Sequence, residues 1–208
     1  MIERLFVKQK LKEYQIEEFL SDSLKNVGLS HTKLQRTPLG EKIIVYSSRP
    51  GLIVGKKGQN ISNLTRMLKK KFELENPQIE ISEVENTELD ARIVAERIAS
   101  SLERFGSKRF KGIMHKAMED ALHGGARGIE IIVSGKVPSQ RARSWRVYGG
   151  YLKKCGDIAV TQVRKATGTA RLKSGVIGIQ ISILPGDIRL PDDVKVIEQA
   201  VIQETKED

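Results

Sequence analysis

The sequence predicts an α+β protein with two domains, the second of which packs its helices on one face of a mixed or antiparallel sheet. Three observations carry this prediction. Some segments repeat apolar residues at helical spacing, and others alternate apolar with polar residues as strands do. Both kinds of segment occur on each side of a break at Gly106 and Ser107. The chain has 208 residues, 39% of them hydrophobic, so it can bury a core.

The first half is predicted as helix, strand, strand, helix, glycine loop, helix and strand. Its predicted bounds are 13–26, 50–54 and 59–72 for helices, and 30–35, 42–47 and 77–84 for strands. Ile16, Leu20 and Leu24 mark the inner face of the first helix, and Gly28 stops it. The stretch Thr37-Pro38-Leu39-Gly40 is predicted as the turn between the first two strands.

The second half begins with a long helix predicted over 88–105, where a crowd of carboxylates indicates an acidic helix face. A strongly periodic helix over 108–122 follows, capped by Gly124-Gly125. Strands are predicted over 128–137, 157–166 and 175–184. We therefore expect domains at 1–85 and 86–189, with 88–105 as a linking helix, and an acidic tail at 190–208.

The charge favours a polyanionic partner. The chain carries a formal +10, and residues 190–208 contain six acids and two bases, so residues 1–189 carry +14. The single cysteine, Cys155, and the lack of a signal peptide or membrane span favour a reducing, cytoplasmic location. The three histidines are scattered, so we expect no metal, no cofactor and no catalytic site.

The loop Gly55-Lys56-Lys57-Gly58 lies between two predicted helices. Glycines allow a phosphodiester backbone to approach closely, and the lysines and the following helix N-terminus attract phosphate. The alternative is an ordinary glycine-rich corner between helices. A phosphate-binding loop of a nucleotide hydrolase is rejected, because the spacing is one residue short and Lys57 replaces the magnesium-binding hydroxyl.

The order of elements around this loop resembles a type II KH domain, whose glycine loop holds about four nucleotides of a single strand. The resemblance extends further, since 54–58, 124–128, 132–136 and 175–179 together are similar to ribosomal protein S three of the small subunit. It covers the chain to about Pro191. The stretch 140–144 and the lack of a long C-terminal extension are closest to the archaeal form.

The resemblance implies a structural ribosomal component that binds small-subunit rRNA in the subunit head, near the channel through which mRNA enters. It also implies contacts with mRNA and with head proteins of the S ten and S fourteen families. Two other classes stay open: a free-standing KH regulator, and an abasic-site lyase with a lysine nucleophile.

Residues 136–154 are predicted as an RNA-contacting loop, because they contain six bases, no acid, and Trp145, Tyr148 and Tyr151 as stacking candidates. The alternative is a solvated basic loop that the aromatics anchor. Its candidate RNA-binding residues are Arg141, Arg143, Arg146, Lys153 and Lys154. Arg164 and Lys165 are added from a hairpin predicted around Gly168. The alternative there is an edge strand that its charges protect against aggregation.

The helix over 108–122 presents a third basic surface with the candidates Arg109, Lys111, His115 and Lys116. In the resembled family, this helix lines the mRNA channel and is implicated in unwinding. The matching positions here are Lys111, Gly112 and His115, of which only Lys111 keeps a full charge. The resemblance therefore implies channel lining and leaves unwinding open, and a solvated helix face is the alternative.

Overall fold

A computed structural model describes residues 2–37, 40–74, 76–191 and 193–194. The helices are α1 Ile2–Ser23, α2 Pro50–Val54, α3 Gln59–Phe72, α4 Ala91–Phe105, α5 Phe110–His123 and α6 Asp157–Thr161. The strands are β1 Leu29–Thr37, β2 Gly40–Ser47, β3 Gln78–Glu83, β4 Ala126–Gly135, β5 Arg143–Gly150, β6 Arg164–Leu172 and β7 Gly175–Pro185. The strands form two separate sheets.

The first sheet has the order β1-β2-β3, with β1 antiparallel and β3 parallel to the central β2. Ile43 and Val45 on β2 are buried, because the β2 pattern alternates and one face packs on helices. Leu20 of α1 and Leu68 of α3 complete this core. The predicted order of elements is confirmed, while Pro38 and Leu39 of the predicted turn lie outside the described residues.

Helix α1 begins at Ile2, well before the predicted start at residue 13. Its first turns contain no glycine or proline, so the backbone propagates as helix. Phe6 and Leu11 there are 62% and 54% exposed. The sequence analysis missed these turns, although Ile2, Leu5 and Phe6 lie at helical spacing.

The second sheet has the order β5-β4-β7-β6 and is antiparallel throughout. Helices α4 and α5 cover one face of it, where Leu102 and Met114 pack with Ile131 and Ile181 in one core. The predicted architecture of helices on one face of a sheet is confirmed. The other face carries no long helix within the described residues.

The strand predicted over 157–166 is wrong over its first half. Residues Asp157–Thr161 form α6, a short helix in which the Thr161 hydroxyl donates to the Asp157 carbonyl at 2.9 Å. The strand runs instead from Arg164 to Leu172, so Gly168 lies mid-strand and the predicted hairpin around it is wrong. A Cβ at Gly168 would lie 3.4 Å from Ala95 Cβ, so the glycine permits close packing against α4.

The segment 143–150, predicted as part of a loop, is an edge strand paired with β4 along its length. Trp145 and Val147 point inward in alternation with exposed Arg146 and Tyr148. The period-two pattern was present in the sequence, but the basic composition favoured a loop.

Acidic side chains at the start of α4 tie it to the first sheet unit. The Asp90 carboxylate accepts the Ser30 hydroxyl and, at 3.0 Å, the Arg92 amide. The Glu96 carboxylate accepts the backbone amides of Asn26 and, at 2.9 Å, Gly28. The acidic face predicted for this helix is therefore an internal contact surface rather than one left to solvent.

The chain after β7 turns back onto β4. Arg127 donates to the Asp193 carboxylate at 2.8 Å, and this hydrogen bond raises the pKa of the Arg127 guanidinium above its ordinary value. The rest of the predicted acidic tail, from residue 195, lies outside the described residues. Among the described helices, none is both long and apolar enough to cross a bilayer.

Candidate nucleic-acid interface

The glycine loop forms a tight corner between α2 and α3. Gly55, Lys57 and Gly58 adopt φ values of 69°, 53° and 75°, in the left-handed region. A Cβ at Gly55 would lie 2.5 Å from the Asn60 side-chain nitrogen, so only glycine fits there. Asn60 in turn donates to the Leu52 carbonyl at 3.2 Å and braces the corner from behind.

Positive charge lies on the open side of this corner, beside the N-terminus of α3. Lys56 and Lys57 are exposed. Helix α3 starts immediately afterwards with Gly58 as its N-cap, and no side chain caps its first amides. An uncapped helix N-terminus beside two lysines favours a phosphate group, so all four predicted loop residues lie together in a suitable geometry.

Three further exposed cations lie on α3 and were absent from the predicted site. Arg66, Lys69 and Lys70 are exposed along the helix. The lysine run 69–71 signalled them in the sequence. Lys71 differs, because its ammonium lies 4.5 Å from the centre of the Phe19 ring and so anchors α3 to α1.

The residues predicted for the α5 surface are all exposed. Lys111 and His115 are four residues apart in the helix, so they are neighbours, while Lys116 lies beside them and Arg109 precedes the first residue of α5. Lys111 also lies 5.0 Å from the Trp145 ring, which fixes its ammonium above β5. The face can contact phosphates from four positions.

The predicted basic loop divides into three parts in the structure. Arg141 is exposed in the connection between β4 and β5, and Arg143 begins β5. Arg146 and Lys154 both bind the carboxylate of Glu130 on neighbouring β4, Lys154 at 2.9 Å. The segment therefore lacks acidic residues in its own sequence but not in its surroundings, because Glu130 of the neighbouring strand lies against the two cations.

Trp145 is a core anchor and not a stacking surface for bases. Its indole N–H donates to the Val137 carbonyl at 2.8 Å, and its ring packs 5.3 Å from the Phe110 ring centre. Tyr148, by contrast, is 70% exposed, with the Arg146 guanidinium 5.3 Å from its ring centre. Trp145 therefore fits the alternative in which an aromatic anchors this segment, while Tyr148 stays a candidate for stacking on a base.

Arg164 and Lys165 open β6 and point to opposite faces of the sheet. Arg164 donates to the Leu89 carbonyl at 3.3 Å, so it holds the segment before α4. Lys165 pairs across the sheet with Ser182, opposite the helical layer. Helix α5 covers the inner face of the second sheet. Its cations therefore lie on the side of this unit opposite to Arg146 and Lys165.

Comparisons with known proteins agree with this arrangement. A KH-domain family model matches residues 15–89, and a model described as ribosomal protein S3, C-terminal domain, matches residues 98–183. The small ribosomal subunit protein uS3 of Methanocaldococcus jannaschii is 40% identical over 208 residues, covering 100% of this chain and 99% of its own. The chain belongs to the ribosomal protein uS3 family.

The uS3 protein of Methanococcus maripaludis is similar as well, 39% identical over 206 residues that cover 99% of this chain and 97% of that protein. Membership in the uS3 family confirms the resemblance read from the sequence. It assigns the chain a structural, rRNA-binding role and no enzymatic one. Within the described residues, no cluster of three or more His, Cys, Asp or Glu side chains is placed to hold a metal ion.

Proposed function

We propose that this protein is a cytoplasmic structural constituent of the small ribosomal subunit that binds rRNA in the subunit head, near the channel through which mRNA enters. The observation that carries the proposal is the uS3 relationship over the whole chain, at 40% identity. The exposed cations on the glycine loop, α5 and β5 supply the matching chemistry, because phosphate neutralisation dominates RNA affinity.

We propose domain bounds of 1–85 and 86–189, with the tail from 190. The two buried cores support this division, one around β1, β2 and β3 and one around β4 to β7. Helix α4 belongs to the second core through Ile98 and Leu102, yet its first turns bind the first unit through Asp90 and Glu96. The linking helix therefore sets how the RNA surfaces of the two units are placed.

The glycine loop would hold a single RNA strand. Leu52 and Met67, beside the loop on α2 and α3, are 52% and 44% exposed. Exposed apolar side chains beside cations fit a strand whose phosphates meet Lys56 and Lys57 and whose bases rest on the apolar surface. An rRNA strand and an mRNA strand at this loop would correspond to two different positions of the loop in the subunit.

The exposed face of α5 would line the mRNA channel. Neighbouring head proteins of the S ten and S fourteen families would contact other surfaces of this protein. The triple variant Arg109→Ala, Lys111→Ala and Lys116→Ala tests the first assignment. We expect fewer crosslinks from thiouridine-labelled mRNA downstream of the decoding site, with normal subunit incorporation. Unchanged crosslinking would place the channel surface elsewhere.

Sedimentation of the native protein tests the function as a whole. A structural constituent runs with small subunits in a sucrose gradient at high salt, whereas a free-standing KH regulator runs as free protein. The triple variant Arg141→Ala, Arg143→Ala and Arg146→Ala should weaken association with the subunit. It should also make the slope of log RNA affinity against log salt concentration shallower by about three, because about three fewer counterions are released on binding.

The matched control for that variant is the triple alanine replacement of Lys8, Lys10 and Lys25. These side chains are exposed on or just after α1 and lose the same charge. We expect association close to that of the wild type. If both triple variants weakened association equally, net charge would drive binding, and not the three arginines at positions 141, 143 and 146.

A further inference from the structure

Within the described residues, no long helix covers the outer face of the second sheet, the side away from α4 and α5. Strand pairing sets three rows of side chains on this face. The rows are Tyr148, Glu130, Ser182 and Lys165; then Arg146, Ile132, Gln180 and Thr167; then Ser144, Ser134, Gly178 and Thr169. The segment after β5 covers only the far end, where a Cβ at Gly128 would meet the Tyr151 backbone.

The second and third of these rows form an open polar surface. Ser134, Gln180, Thr167 and Thr169 are exposed, and Gly178 between them has no side chain. None of these four side chains has a hydrogen-bond partner within the part of the chain that the structure describes. The face thus presents hydroxyl and amide groups across four strands, a width of roughly 15–20 Å.

The charge of this face is mainly positive. Residues 126–185 contain eleven bases and two acids. Arg146, Lys165 and Arg171 are exposed strand cations of the outer face, and Glu130, its one acid, is bound by Arg146 and Lys154. Solvent-facing surfaces normally intersperse both signs, so a face with an excess of exposed cations indicates a polyanionic occupant.

We propose that this outer face docks the minor groove of an A-form RNA duplex. The inference rests on the proposed rRNA-binding function and names the site and the form of RNA. The minor groove of A-form RNA is wide and shallow and displays 2′-hydroxyls, so a sheet face of hydroxyls and an amide can meet it directly while the flanking cations reach phosphates.

The other occupants fit the face less well. A single strand needs aromatic platforms for unstacked bases, and Tyr148 is the one aromatic on the described face, with Arg146 already over its ring. A protein partner needs an apolar centre depleted of charge. The centre here is Gln180 and Gly178, and Ile132 beside them is half-buried.

The test reverses charge at the centre of the face. Gln180→Glu is nearly isosteric and places a carboxylate where the groove would lie, whereas Gln180→Lys adds a cation there. Gln15→Glu, the same change on an exposed position of α1, is the matched control. Binding is measured to an RNA duplex of about 16 base pairs, to the DNA duplex of the same sequence, and to one RNA strand alone.

We expect Gln180→Glu to weaken RNA-duplex binding by about threefold to tenfold, with less than about a twofold change for the single strand. Gln180→Lys should tighten duplex binding, which a folding defect cannot mimic, and Gln15→Glu should change nothing. An unaltered duplex affinity in both Gln180 variants overturns the inference, as does an equal loss on all three probes.

The outcomes separate this inference from the broader proposal. A wild-type protein that binds no RNA and does not sediment with small subunits removes the proposed function. A wild-type protein that does both, with Gln180 variants that bind the duplex normally, removes only the duplex site. If Gln180→Glu bound the duplex with normal affinity but failed to enter subunits, the face would be assigned to a protein partner. That outcome also overturns the inference.

Discussion

Replacing Trp145 by phenylalanine separates a structural role from an RNA-stacking role for this residue. The indole N–H donates to the carbonyl of Val137, a fully buried residue, at 2.8 Å. Phenylalanine removes the donor and leaves that carbonyl without it, at a cost of about 1–3 kcal/mol. It also weakens the Lys111 cation contact, worth about 0.5–1 kcal/mol, and leaves a small cavity.

The expected total is a loss of about 3 kcal/mol in the free energy of unfolding, which lowers Tm by roughly 6–12 °C for a chain of this size. Far-ultraviolet circular dichroism measures the shift, since Trp145 is the chain's one tryptophan and its fluorescence is lost. RNA affinity at a temperature where both proteins are folded should stay within about twofold, because the ring faces the core.

Tyr148→Phe is the control, because Tyr148 lies on the same strand and is 70% exposed. It should leave Tm unchanged. If Trp145→Phe kept the wild-type Tm and lost RNA affinity, the reasoning would be refuted, and the indole would have to leave the core to stack on a base.

Three further changes test the contacts that hold the fold. Glu96→Gln should lower the free energy of unfolding by about 1–2 kcal/mol in denaturant titration, because an uncharged amide accepts the Gly28 amide more weakly; an unchanged midpoint would show that the contact contributes nothing. Gly128→Ala should destabilise by about 3 kcal/mol or prevent folding, since its Cβ would lie 2.1 Å from the Tyr151 carbonyl oxygen. Gly112→Ala meets no atom within 4 Å and should raise Tm, because alanine favours the interior of a helix by about 1 kcal/mol; a lower Tm would point to a hidden constraint at this site.

Local patterns predicted most of the secondary structure. The stripe of Leu64 and Leu68 and the alternation through Ile177 to Ile183 were both read correctly, because each segment buries one face on its own unit. The start of α1 was not predicted, although Ile2, Leu5 and Phe6 lie at helical spacing in the sequence. Strand β5 escaped because its inward residues are few and its composition is that of a loop.

The candidate site was likewise predicted in part. The glycine loop was predicted complete, since its four residues are contiguous and their chemistry depends on the local backbone. The pairing of Arg146 with Glu130 was not predicted, because 16 positions separate them and strand register alone brings them together. The α3 cations were overlooked although their run of lysines was visible.

The amino-acid sequence alone determined the family, the order of elements, the glycine loop and the excess of positive charge. These depend on residue type and on spacing within single segments, which the chain carries in any conformation. Tertiary structure decided which side of the second sheet each cation occupies, that Trp145 faces the core, and that the acids of α4 bind the first unit. Such facts depend on strand register and on contacts between distant residues, for which one sequence holds no local signal.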